Sequence, residues 1–204
     1  PVGDEVTGYV AHDPLDPDIV YGGKVSRYNR RTGEVIQVGP RAPQGEAYRV
    51  VRTQPVLFSP VDQRTLYFAS NRLWKTTSGG MRGWTPVSPD LTRKTWDVPA
   101  NVGVYKGTEA ARPSQRGVIY TIAPGYTDIN RIWVGTDDGL IHTTADGGAT
   151  WKDVTPPELT PWAKVSIVDA SHSSPLGAYA AINTFRLSDL RPHIYRTRDG
   201  GKTW

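Results

Sequence analysis

Apolar residues in this chain come in short strand-like runs, and the runs recur as one unit. Residues 10–23, 57–69, 122–135 and, more weakly, 168–181 each carry an apolar strand into a turn rich in Pro, Asp and Ser. A second strand follows, and in every copy it holds an aromatic: Tyr21, Tyr67, Trp133 and Tyr179. The intervals between these aromatics are 46, 66 and 46 residues, so the middle one contains one repeat plus about twenty residues, placed at 91–112. A period in the forties with four strand-like segments per copy is the pattern of β-propeller blades.

In the third copy the pattern predicts strands at 117–123, 131–136, 140–144 and 150–154, with Asp137-Asp138-Gly139 as a hairpin turn. In the second copy the corresponding strands are 50–59, 65–69, 73–76 and 84–87. The fourth copy carries a ten-residue insertion, 183–192, between its second and third strands, longer than a hairpin needs and therefore expected to be functional or to pack on a neighbour. The resulting expectation is an all-β chain of four consecutive four-stranded antiparallel blades, part of a larger β-propeller. The blades run approximately over 6–40, 47–90, 113–155 and 161–204, with the insertion at 91–112. The fourth should lack its outer strand, because the chain ends at Trp204, where that strand should begin. Helix is expected nowhere except as a turn in 91–112 or 156–161.

One octapeptide occurs twice, 53 positions apart: Thr144, Asp146, Gly148, Thr150 and Trp151 match Thr197, Asp199, Gly201, Thr203 and Trp204. Its chemistry is that of a hairpin staple, with an Asp accepting backbone N–H groups across a tight turn and glycines supplying positive φ. Residues 77–84 form a degraded copy with Ser78 in the Asp position, and the first blade has an unrelated turn at 28–33. This is the Asp-box pattern, and the chain resembles the Asp-box (BNR-repeat) β-propellers, which include sialidases, xyloglucan-cleaving glycosidases and the sortilin receptors. The stretches 70–74, 87–93, 135–140 and 187–192 narrow the resemblance to a large bacterial family of sortilin-like proteins usually labelled glycosyl hydrolases. The resemblance implies a longer parent protein that is secreted or periplasmic, and a carbohydrate substrate or ligand.

Composition agrees with the all-β reading. The 21 Gly, 17 Pro and 20 aromatic residues suit many short strands joined by tight turns. The net charge of +4 comes from scattered Arg residues with no basic run, which argues against a nucleic-acid partner, and nothing suggests a membrane span. There is no Cys, and the four His residues show no ligand spacing, so neither a metal nor a cofactor is expected.

Asp146 and Asp199 look like glycosidase acids, but a carboxylate bonded to its own turn has no lone pair left for chemistry; the octapeptide residues are read as structural. These staples join strands three and four. The opposite face carries the turns between strands two and three, and in related propellers it holds the active or binding site. Asp137 and Asp138 sit on that face as catalytic candidates, although Asp-Asp-Gly is also simply a good turn. Arg72, Arg186, Asp189 and Arg191 are the ligand-binding candidates there. The insertion would add Trp96, Asp97, Tyr105, Lys106 and Glu109. Arg49 and Arg52, on an expected innermost strand, would point to opposite sides, so at most one lines the central channel. Two functions follow: a glycosidase or carbohydrate-binding segment, or a sortilin-like propeller that binds a peptide or protein without chemistry. In either case the remaining blades of the parent are partners.

Overall fold

A computed structural model describes residues 8–95, 98 and 117–204. Trp96, Asp97, Tyr105, Lys106 and Glu109 lie outside the described residues. The first sheet is β1 (Val10–His12), β2 (Ile19–Gly22), β3 (Ser26–Asn29) and β4 (Val35–Gln37), and the second is β5 (Val56–Phe58), β6 (Leu66–Ala69), β7 (Leu73–Thr76) and β8 (Thr85–Pro86). The third is β9 (Ile119–Pro124), β10 (Ile132–Thr136), β11 (Ile141–Thr144) and β12 (Lys152–Asp153), and the fourth is β13 (Lys164–Ala170), β14 (Ala178–Asn183) and β15 (His193–Thr197). Strand order in every sheet is sequential and every pairing is antiparallel, so each sheet is one blade and the fourth has three strands.

Two expectations about elements need correction. The first strand of the second blade is Val56–Phe58, not 50–59. Pro55 has no N–H to donate. The segment before it is held by irregular bonds instead: Arg49 N–H donates to Asn71 Oδ1 (3.0 Å), and Asn71 N–H donates to the Arg49 carbonyl (3.1 Å). The helical turn among the described residues is a 3-10 turn, Phe185–Leu187, inside the insertion of the fourth blade, whereas 156–161 form ordinary turns.

The blades pack face to face through three apolar clusters. Tyr21, Ile19, Val56, Leu66, Phe68 and Trp74 join the first blade to the second. Tyr67, Leu73, Ile119, Ile122 and Val134 join the second to the third. Trp133, Ile141, Val165, Val168, Ala178 and Ile182 join the third to the fourth. Fully burying a side chain such as Phe68 or Leu66 contributes about 1.5–3 kcal/mol, so these interfaces stabilise the fold strongly.

The octapeptide adds a directional bond to each interface. Trp84 Nε1–H donates to the Val38 carbonyl (2.5 Å), Trp151 Nε1–H to the Val87 carbonyl (2.8 Å) and Trp204 Nε1–H to the Val154 carbonyl (2.7 Å). Each acceptor lies at the outer edge of the preceding blade, so a turn that looks local in sequence also ties its blade to the one before. Gly148, at φ +105°, presses on that neighbour: a Cβ there would lie 2.3 Å from the Val87 carbonyl oxygen.

Inside the turn, Asp146 Oδ1 accepts the Thr150 N–H (2.9 Å) and the Thr144 hydroxyl (2.7 Å), and Oδ2 accepts the Thr150 hydroxyl (2.5 Å). Asp199 repeats all three bonds with Thr203 and Thr197. In the degraded copy Ser78 Oγ accepts the Arg82 N–H at 3.0 Å and shares a hydrogen bond with the Thr76 hydroxyl at 3.2 Å, two bonds where Asp146 makes three. The first blade closes instead on Asn29, whose Oδ1 accepts the Arg31 and Thr32 N–H groups.

Candidate functional site

The turns between strands two and three lie on the face opposite the staples. At the third blade this turn presents two consecutive carboxylates in different environments. Asp138 is 1% exposed, and both its oxygens are engaged: Oδ1 accepts the Thr136 hydroxyl (2.5 Å) and Oδ2 the Arg93 N–H (2.9 Å). Arg93 Nε–H also donates to the Asp138 carbonyl (2.7 Å). Gly117 leaves the room this carboxylate occupies, since a Cβ there would fall 1.9 Å from Asp138 Oδ2. Burial pushes the Asp138 carboxyl up to about 6 against the two donated bonds, and the neighbouring Asp137 charge adds to the rise.

Asp137 is only partly buried. Its Oδ1 accepts the Val118 N–H (2.8 Å), and among the described residues its Oδ2 accepts no hydrogen bond. Burial raises its pKa, while the Val118 N–H and the charges of Arg186 and Lys164 pull the other way. Asp137 is therefore the carboxylate able to touch a ligand, and Asp138 is walled into the turn beneath it.

The side chains around Asp137 come from several blades. Tyr120, on β9, accepts a hydrogen bond from the Thr53 hydroxyl (3.0 Å) just before β5. Lys164, at the start of β13, places its ammonium 3.4 Å from the centroid of the Tyr120 ring. Burial raises the Tyr120 pKa, but Lys164 and Thr53 outweigh it and the net direction is down. Tyr9, just before β1, is close enough to Tyr120 for the two phenols to couple: burial first, then Tyr120, raises the Tyr9 pKa. Thr53, Tyr120 and Lys164 thus join the second, third and fourth blades through direct contacts, and Tyr9 of the first blade and Asp137 couple to them electrostatically.

Among the four ligand-binding candidates, the structure brings only Arg186 to the aspartates. Arg72 forms an ion pair with Glu46 (2.6 Å) on the second blade. Asp189 and Arg191 satisfy one another through Nε (2.9 Å) and Nη2 (2.9 Å), and His193 Nε2 lies 3.0 Å from Asp189. Arg191, with His193, holds the Asp189 carboxyl well below the usual carboxylate range. Arg49 lies off any strand and spans the second and third blades, donating to Asp90 (2.7 Å), Thr92 (2.9 Å) and the Gly117 carbonyl (3.2 Å). Arg52 is exposed.

Thr53, Tyr120 and Lys164 are absent from the sequence-based candidates. They stand far apart in the chain, in no motif, and the signal that could have found them is their position on the first strand of a blade, or for Thr53 just before it, the strand lining the axis. Among the described residues no cluster of His, Asp and Glu could hold a metal ion, and no helix is long and apolar enough to cross a membrane.

The chain is a run of consecutive antiparallel propeller blades with an acidic turn and a cationic flank on one face. It is 25% identical over 99% of its length to an oligoxyloglucan reducing-end-specific xyloglucanase of Emericella nidulans, and it spans 24% of that protein. In fold it is similar to the crystal structure of an ancestral GH74 enzyme, with a TM-score of 0.59, 16% identity and coverage of 100% of this chain and 24% of that one. It is also similar to the extracellular domain of a protein of B. thetaiotaomicron described as a one-component system, with a TM-score of 0.52 and 10% identity over 94% of this chain and 22% of that one. No protein-family model matches the chain.

Proposed function

We propose that this chain is a segment of a carbohydrate-active, glycoside-hydrolase-like propeller, with sugar engaged on the face that carries Asp137. The carrying observation is the partly buried Asp137, whose pKa is raised and whose Oδ2 is open among the described residues, the state expected of an acid–base group. The identity with a xyloglucanase over nearly the whole chain supports this reading. Asp138 serves as a positioning residue that fixes the turn and holds Arg93. Glycoside hydrolysis needs two carboxyl groups about 5.5 Å apart for retention or about 6.5–9.5 Å apart for inversion. With Asp138 enclosed, the second working carboxylate would come from further blades of a longer parent. The BNR character of the repeat and a secreted or periplasmic location belong to the same proposal.

A sortilin-like peptide- or protein-binding role is the second reading. It is favoured by Phe185 and Leu190, which stand 58% and 87% exposed in the insertion on this same face and offer apolar anchors without acid–base groups.

Calorimetric titration with xyloglucan oligosaccharides and with apolar peptides separates the two. The carbohydrate reading expects sugar binding that Asp137→Asn weakens about tenfold, equivalent to ~1.4 kcal/mol. Peptide binding lost in Phe185→Ser with Leu190→Ser, and no response to sugars, would replace it with the second reading.

A further inference from the structure

Lys164 and Arg186 lie at the same end of the fourth blade, Lys164 opposite Asn183 in the register of β13 and β14 and Arg186 in the 3-10 turn that follows β14, and both charges act on Asp137. Among the described residues no carboxylate lies within ion-pair distance of either cation. Asp137 feels both charges, yet it spends its bonded oxygen on the Val118 N–H. Arg186 is exposed and makes no hydrogen bond to a described residue, so its guanidinium is available for two parallel bonds to an incoming carboxylate. Lys164 is pinned over the Tyr120 ring, and Tyr120 is pinned by Thr53, so this ammonium is held in place before a ligand arrives.

We infer that the face where the third and fourth blades meet recognises an acidic sugar, a uronate, with its carboxylate held by Arg186 and Lys164 and its ring hydroxyls on Asp137. This deepens the carbohydrate reading above and rests on it. A uronate suits the cluster better than a neutral sugar because it supplies an anion for two cations that pair with no carboxylate among the described residues. It suits the cluster better than an acidic peptide because it also supplies hydroxyl donors for Asp137 and a ring to lie against the phenol of Tyr9. Tyr9 is 36% exposed beside Tyr120.

The test is calorimetric titration of the 204-residue chain with trigalacturonate, with the neutral galactotriose and with triglutamate. Trigalacturonate is expected to bind at least about tenfold tighter than galactotriose, a preference that falls with added salt as an ion pair requires. Arg186→Gln should abolish the preference, and Lys164→Gln should reduce it. Lys202→Gln, which removes the same charge on the staple face, should leave it intact. Arg186 supports no part of the fold among the described residues, so its variant remains informative if Lys164→Gln unfolds. Equal binding of the two sugars would overturn the uronate proposal and leave the carbohydrate reading standing. Binding of neither sugar would overturn the uronate proposal alone, since the carbohydrate reading is tested by the xyloglucan titration above, and equal binding of triglutamate would replace the uronate by an acidic peptide.

Discussion

Asp146 and Asp199 show how a carboxylate can be highly organised and still unfit for catalysis. The Thr150 hydroxyl and N–H, joined by Thr144, lower the Asp146 pKa far below that of a free Asp, and the same set around Asp199 brings it to about 2. An unfolded Asp titrates near ~3.9. The stabilisation these groups give is therefore fully present above about pH 4 and is lost as pH falls toward about 2. Asp138 has the opposite sign: raised to about 6, it favours the folded chain in its protonated form, so its contribution declines as pH rises from about 4 to about 6. Asp146→Ala is expected to lower the thermal midpoint at neutral pH and to leave ligand binding intact at temperatures where the variant is folded. Its deficit should shrink between about pH 4 and pH 2; a deficit that stays constant over that range in calorimetry would assign the stabilisation to something other than the carboxylate.

At the scale of the element, the staple turn acts on the neighbouring blade as much as on its own hairpin. Gly33 and Gly148 both adopt positive φ, +75° and +105°, but a Cβ at Gly33 would meet nothing within 4 Å, whereas at Gly148 it would meet the backbone of Val87. Gly33→Ala is expected to cost only the left-handed penalty, about 1 kcal/mol. Gly148→Ala adds a collision that no side-chain rotation relieves, and its expected cost exceeds ~2 kcal/mol. Denaturant unfolding of the two variants measures the difference. Equal costs would mean that the turn does not bear on the preceding blade.

The whole molecule presents one face that its own repeat leaves uncovered. The second-strand aromatics Tyr21, Tyr67 and Trp133 are at most 1% exposed, each covered by the blade that follows, while Tyr179 at the same position is 47% exposed. Around it the register aligns Ile167, Ala181 and Ile194 in one row and Asp169, Tyr179 and Arg196 in the next. An apolar face of this kind drives association when nothing covers it. The 204-residue chain is expected to self-associate in sedimentation velocity, and Tyr179→Lys with Ile194→Lys should shift it toward monomer without lowering its melting temperature. A monodisperse wild-type monomer at micromolar concentration would overturn this expectation.

The spacing of Tyr21, Tyr67, Trp133 and Tyr179 and the repeated octapeptide determined the blades, their order and the hairpin staples, because hydrophobic period and turn chemistry act over a few neighbouring residues. The first strand of the second blade escaped this reading: Pro55 and the Arg49–Asn71 bonds override its apolar run, and one partner lies more than twenty positions away. Asp137 and Asp138 were visible as a pair, but their opposite fates were not, since only packing shows that Arg93 and Thr136 enclose one and that Val118 leaves the other half open. The same holds for Thr53, Tyr120 and Lys164. Their meeting depends on how the blades turn about a common axis, and that angle is set by interblade burial and by the Trp-to-carbonyl bonds rather than by any local pattern.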